Sequence, residues 1–578
     1  MKISRIGSLP LLIVLGCLPG FDGLDVLGIV HAAGTADEPS EELPSEELPS
    51  EELPAALTLM QLEPSDGALD VPIDGSVRLS FSCSLDPTSV WAGALALHRS
   101  GSPFPALGSI AVDGNVVTFT PLGSLVLGNA YTLRFEGSLG CVDGAEWSGA
   151  IETHFQTRDG SWCSPESVGD ASADTPELAV DAPGNALLLW QLPSSEGQAA
   201  QVRAARFTPG QHWQALPISV SAGPYARPAR VVAGDDGVFA LVWLGIGSAE
   251  AALYHLGDDH FLGTPVRLGP SRIFSAATDA LFASGRAWVA TSSGGAFLQA
   301  YHSEGAAFWR TPKSLVQSDD GSRAAGPVLI ADGLGQARAF WTHSDTLLVA
   351  TVDYSGDWDT PAAIASLDPS HSVDSFSGAG SDYGDALLAW EDTSRDSSDA
   401  VTSRLQLLLL DSGGTSAEDR PDSVDAGGNA YSPAVEMSAE GDAVLTWVAS
   451  PAGPDDADAP ARAWAASRLA DSPAWSAPLA LSGAEGVRAR PPVLGLDPSG
   501  NGHAAWVEVD ATGTARLVAT RFTRAAGWSA ATQVISAATP VSPQHSRSLT
   551  ATNKQDPRIV VDAHGRALAV WVGPDGGL

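Results

Sequence analysis

The chain has 578 residues, 60 of them glycine and 40 proline, which is too long for one ordinary core and supplies the turns that many short strands need. Its 68 acidic and 31 basic residues leave a formal net charge of −37, and that long-range repulsion argues against nucleic acid and against anionic membrane surfaces as partners. Beyond the amino-terminal segment no apolar run reaches membrane-spanning length.

Residues 1–33 read as a targeting segment that stays outside the fold. Lys2 and Arg5 precede an apolar run, Leu9 to Leu15, too short to cross a bilayer. Two processing sites compete. Val14-Leu15-Gly16-Cys17 resembles a bacterial lipobox, whose cysteine becomes the lipidated first residue, and Val30-His31-Ala32 resembles an ordinary signal-peptidase site. Asp22 and Asp25 fit poorly inside an ordinary signal peptide, which favours lipidation of Cys17. Either way the protein is expected outside the cytoplasm, as a cell-surface or outer-membrane lipoprotein or as a secreted protein. Residues 34–56 follow as a tether: DEPSEELPSEELPSEELP carries eight carboxylates and no base, so it repels itself, and its prolines block helix propagation.

Residues 57–158 read as a β-sandwich of short strands, among them SVRLSFSCS, NVVTFTP, AYTLRFEGS and ETHFQT, separated by Gly, Pro and Asp turns. The succession Pro64-Ser65-Asp66-Gly67, Asp70-Val71-Pro72, Phe81 with Leu85-Asp86-Pro87, Val117-Thr118-Phe119-Thr120-Pro121 and Phe155-Gln156-Thr157 resembles the bacterial Ig-like domain of the SbsA type. That resemblance implies a spacer or surface module with no active site. Cys83 and Cys141 each follow a core strand, and strands in the B and F positions of an Ig-type fold would bring both to one end, a candidate disulfide that suits an exported protein. Cys163 is a rival partner for either, and one thiol is left over.

From residue 160 to 578 one sentence recurs: an apolar run, a glycine turn, and a second apolar run that closes on tryptophan. PELAVDAPGNALLLW carries Gly184 and Trp190, and four further copies keep Pro, Gly and Trp in place: Gly335 with Trp341, Gly441 with Trp447, Gly500 with Trp506 and Gly565 with Trp571. Gly237 with Trp243 and Gly384 with Trp390 keep the Gly-to-Trp spacing alone, and a degenerate copy at Gly285 has Thr291 in the tryptophan position. The glycines are 48 to 65 residues apart, a period that marks supersecondary units unable to bury their faces alone. The second run is apolar on both faces, so both are covered. A third run and a tryptophan-opened fourth (Trp213, Trp309, Trp358, Trp475, Trp528) complete four antiparallel strands per unit, the pattern of β-propeller blades. Seven or eight blades are expected, eight preferred, with GSWCSPESVGD from Gly160 closing the ring as the outer strand of the last blade. That last blade is expected to lack its third strand or to have a very short one.

No reactive constellation stands out. Asp181, Asp332, Asp497 and Asp562 are better read as turn-capping carboxylates than as calcium or sugar ligands. The repeat tryptophans read as blade core in preference to a carbohydrate-stacking surface. HExxH, GxSxG, GxxxxGK[ST] and CxxC are absent, and the Gly-to-Trp spacing of six does not fit the Asp-box of sialidase-type propellers. No catalytic residue, metal or cofactor is therefore assigned. The expected function is a non-catalytic exported protein whose Ig-like spacer presents a propeller to a protein or glycan, with the membrane reached only through a lipid anchor. The alternative is a propeller-fold hydrolase or lyase acting on extracellular polysaccharide, which converging carboxylates and arginines in a deep axial pocket would favour.

Overall fold

The computed structural model describes residues 12–15 and, apart from short gaps and the longer stretches 413–428 and 541–556, residues 57–572. The chain divides into two compact units, Leu18–Gly160 and a larger one in which Met1–Cys17 joins Ser161–Leu578. All regular structure among the described residues is β, apart from one short 3-10 turn at Pro87–Ser89.

The smaller unit is a sandwich of two four-stranded sheets. One runs Leu59–Glu63, Val77–Phe81, Val116–Pro121, Gly108–Asp113; the other runs Ala68–Val71, Glu146–Thr157, Ala130–Gly140, Leu95–Arg99. Period-two alternation decides what faces inward: Val77, Leu79 and Phe81 are buried while Arg78 is exposed, and Tyr131, Leu133 and Phe135 pack into the same core. The buried Tyr131 hydroxyl accepts a hydrogen bond from the Val126 amide at 2.9 Å. Cys83 and Cys141 are joined in a disulfide with a Cα–Cα separation of 6.0 Å. Cys163 is disulfide-bonded as well, and no free cysteine occurs among the described residues, so the leftover thiol anticipated from the sequence is corrected.

In the larger unit eight sheets succeed one another among the described residues. The second is representative: Arg227–Ala233, Val238–Gly245, Ser248–His255 and His260–Leu268, each antiparallel to the last. The first strand of each sheet packs against the first strands of its two neighbours, and the strand Arg558–Val561 of the last sheet packs against Asp174–Val180 of the first. This closes a cycle, the geometry of a β-propeller with its inner strands around an axis.

The doubly apolar second strands explain the packing. In Ala186–Leu192, Leu187 and Leu189 join Phe239, Leu241 and Trp243 of the next sheet, while Leu188 and Trp190 join Leu568 and Val570 of the preceding one. Trp243, Trp341, Trp447 and Trp506 are fully buried. The eight turn glycines all have positive φ, from 69° at Gly285 to 97° at Gly184, a backbone that other residues adopt only under strain.

The closing sheet departs from expectation at one strand. Its order is Glu166–Ser167, Leu12–Leu15, Ala567–Trp571, Arg558–Val561. Leu12–Leu15, read from sequence as lying outside the fold, pairs antiparallel with Ala567–Trp571 on one side and with Glu166–Ser167 on the other. It takes the third-strand position that the sequence had left empty. The physical reason is the edge of Ala567–Trp571, whose free amides and carbonyls need a partner, and a short apolar extended run provides one.

Candidate binding channel

The turns at one end of the inner strands are held by side-chain caps. Asp181 Oδ1 accepts from the Asn185 amide at 2.7 Å. Asp497 Oδ1 accepts from Ser499 and Asn501 at 2.8 and 3.0 Å, and Asp562 Oδ1 from His564 and Arg566 at 2.8 and 2.9 Å. Ser381 and Ser438 take the same place in their turns, where their hydroxyls accept from the Asp385 and Asp442 amides at 3.2 and 3.0 Å. These residues are committed to the hairpins. Asp332 lies outside the described residues.

Between the turns of the first five sheets opens a cavity of about 1140 Å³. Its polar lining includes Asp181, Arg206, Thr208, Gln211, His255 and Asp382, and Gly234, Gly237 and Gly335 keep its wall low. Burial holds the Asp181 carboxyl above its ordinary range, opposed by hydrogen bonds from Asn185 and the Gly184 amide. Arg206 is tied by ion pairing to Asp259 at 3.3 Å and by its Nε to Gln214 at 3.2 Å, Gln211 Oε1 accepts from Gln214 Nε2 at 3.5 Å, and Asp382 is exposed at the rim.

Deeper along the axis, strand register places one residue of each inner strand at a common level. Four consecutive strands contribute Arg558, Glu177, Arg230 and Asp279, alternating in charge; the other four contribute Val328, Ser377, Ala434 and Val493. The charged residues form a chain across three sheet boundaries: Arg558 Nη2 to Glu177 Oε1 at 3.0 Å, Arg230 Nη1 to Glu177 Oε2 at 3.8 Å, and Arg230 Nε to Asp279 Oδ1 at 2.8 Å. Asp279 Oδ2 accepts from the Leu329 amide at 2.8 Å, and Ser377 Oγ accepts from the Val435 amide at 3.2 Å, so the belt continues as hydrogen bonds between sheets. Asp279 and Glu177 hold the Arg230 guanidinium well above its ordinary range, yet 46% of its side chain remains exposed.

Glu436 sits near this belt without belonging to it. Burial pushes its carboxyl up to about 7, and Arg230 pulls the other way. No hydrogen bond or ion pair reaches it among the described residues. Sequence reading missed these groups, although one signal was present: Glu177, Arg558 and Glu436 are charges one to three positions after a repeat proline, inside strands that are otherwise apolar.

The repeat residues singled out from sequence stand elsewhere. Gly184, Gly237, Gly335, Gly384, Gly441, Gly500 and Gly565 are in the turns. Trp190, Trp243, Trp341, Trp390, Trp447, Trp506 and Trp571 are buried, and none lines the cavity. Trp243 and Trp506 donate their indole N–H to Glu250 and Glu508 at 2.9 and 3.1 Å. Cys17 lies outside the described residues.

Residues 54–157 match the family described as the bacterial Ig-like domain. No curated protein matches the chain. Among solved structures, the BP39L lectin of Burkholderia pseudomallei is similar at 16% identity and a TM-score of 0.42, over 63% of this chain and 99% of that one. The Dos1 propeller is similar at 10% identity and a TM-score of 0.41, over 70% and 93%. An ulvan lyase of a polysaccharide lyase family is similar at 10% identity and a TM-score of 0.35, over 50% and 78%. Likeness at this level carries no argument about ligand or reaction.

Proposed function

We propose that the chain is an exported binding protein in which the Ig-like domain serves as a spacer and the propeller engages a glycan or protein at its axial mouth. The observation that carries this reading is the 1140 Å³ cavity between the inner turns, concave and edged by the polar side chains of Gln211 and Asp382. The ion pairing deeper in the channel supports binding over hydrolysis. Glu177 and Asp279 are both engaged by arginines, whereas a glycosidase needs two carboxyl groups free to act on the substrate. The alternative, a hydrolase or lyase acting on extracellular polysaccharide, draws its support from Glu436, whose carboxyl near 7 suits proton transfer.

The test presents the purified full chain to a glycan array and to envelope proteins in a pull-down, beside Gln211→Ala and Asp382→Lys. Saturable binding that both substitutions weaken supports the reading. Release of reducing ends or unsaturated products from a bound polysaccharide overturns it in favour of the enzyme. Export through a lipid anchor requires the Cys17 thiol to be held by lipid in place of any disulfide, and is tested separately with Cys17→Ala, which is expected to leave the membrane fraction; a variant that stays there removes the anchor from the proposal.

A further inference from the structure

The strand Asn429–Met437 alternates in burial: Pro433, Val435 and Met437 are buried, while Ser432, Ala434 and Glu436 are partly exposed. In a ring of sheets the buried set faces the neighbouring sheet and the partly exposed set faces the axis. Register puts Glu436 opposite Val444, and the same place in the other inner strands is held by residues that cannot ionise. Ala179, Val232, Leu281 and Ile330 are four of them, and the two flanking strands contribute Ala379 and Gly495. Glu436 is thus the single ionisable side chain of its level among the described inner strands.

Its surroundings do not neutralise it. The belt one level away contains two arginines and two carboxylates, paired with one another, and so sums to zero. Arg230 stands on the second inner strand and Glu436 on the sixth, opposite places in a cycle of eight, and Arg230 is already held by Asp279 and Glu177. The strands flanking Glu436 bring only Ser377, Ala379, Val493 and Gly495 to these two levels. A desolvated carboxyl without a hydrogen-bond partner has an unmet need for a donor.

We propose that Glu436 is the floor of a site for a small organic cation, receiving the ammonium group of an amine such as an amino sugar that enters from the axial mouth. This rests on the reading of the channel as a binding site and gives it a ligand charge. An ammonium supplies the missing charge and donates directly to the carboxylate, with no change in the belt. Ser377, whose oxygen is occupied by the Val435 amide, still has its O–H to offer a ligand hydroxyl. The acidity of the chain, −37 overall, and Asp382 at the rim enrich cations near the entrance and turn anions away.

Calorimetric titration of the full chain at low ionic strength tests this with ethanolamine, glucosamine, glucose and N-acetylglucosamine. Binding of the two amines, without the two uncharged sugars, is expected, together with a loss of at least ten-fold in Glu436→Gln that circular dichroism shows to be folded. Wild-type protein supplies an independent readout should that variant fail to fold. Glu436 must be ionised to bind, so affinity for ethanolamine should fall about ten-fold from pH 8 to pH 6 as a carboxyl titrating near 7 takes up its proton. Equal binding of charged and uncharged sugars, or amine binding unchanged in Glu436→Gln, overturns the assignment. Failure of the amines beside a positive array result sinks this site alone, whereas amine binding beside a blank array sinks the glycan or protein reading and leaves the site standing.

Discussion

Replacing Glu436 by glutamine removes a titratable group while nearly preserving its shape, so its effect on stability should depend on pH. A glutamate carboxyl ordinarily ionises near 4.5, and burial in the folded ring pushes that of Glu436 up to about 7. A carboxyl whose folded value is raised makes the folded state the stronger proton binder. Its contribution to stability is full below pH 4.5 and is lost as pH climbs through 7. That rise corresponds to about 3 kcal/mol at most. Glu436 is partly exposed, and channel water screens it, which brings the expectation to about 1–2 kcal/mol. Urea unfolding followed by tryptophan fluorescence, which reports mainly on the propeller, measures this for both proteins at pH 4 and pH 8.5. The two should be alike at pH 4, and Glu436→Gln should be the more stable at pH 8.5 by that amount. A glutamine variant that is less stable at pH 8.5 would show Glu436 to be a satisfied partner of Arg230, and the reasoning about an uncompensated channel carboxyl would fall with it.

Gly500→Val forces a branched side chain into φ 81° and brings its Cβ to 3.0 Å from Asp442 Oδ2; a loss of about 1–3 kcal/mol is expected in the same unfolding assay, and an unchanged midpoint contradicts the turn assignment. Arg558→Met cuts the ion pair that joins the last sheet to the first and leaves Glu177 with Arg230 alone, which should cost about 1–3 kcal/mol. A neutral result there means the belt does not tie the ring at its seam. Joint replacement of Cys83 and Cys141 by serine opens a link spanning 58 residues and should lower the stability of the Ig-like domain by about 2–4 kcal/mol, read by calorimetry as a shift in one transition only.

The sandwich and the ring were legible because their signals are local. Fifteen residues such as PELAVDAPGNALLLW contain both strands, the turn and the tryptophan, and repetition multiplies that signal. Asp181, Asp497 and Asp562 could be read as caps for the same reason: the carboxylate and the amides it receives lie within four residues. The channel is the opposite case. Arg230 and Glu436 are 206 residues apart, and nothing in either segment reveals that they face one axis until the register of two separate sheets is known. Leu12–Leu15 was misplaced for a different reason. A short apolar run after basic residues suits a leader and a strand equally well, and only the empty edge of Ala567–Trp571 distinguishes the two.

The closing sheet draws its four strands from residues 12–15, 166–167, 558–561 and 567–571. Seven sheets can assemble from residues before 541, but the eighth has to wait for residue 571. Until then the nascent ring is an open arc whose two terminal faces, greasy and unshielded, invite a chaperone or a neighbouring copy. The step that fastens the arc therefore joins the most distant parts of the polypeptide, and any protease or processing enzyme that trims the early segment first also determines how well that fastening holds.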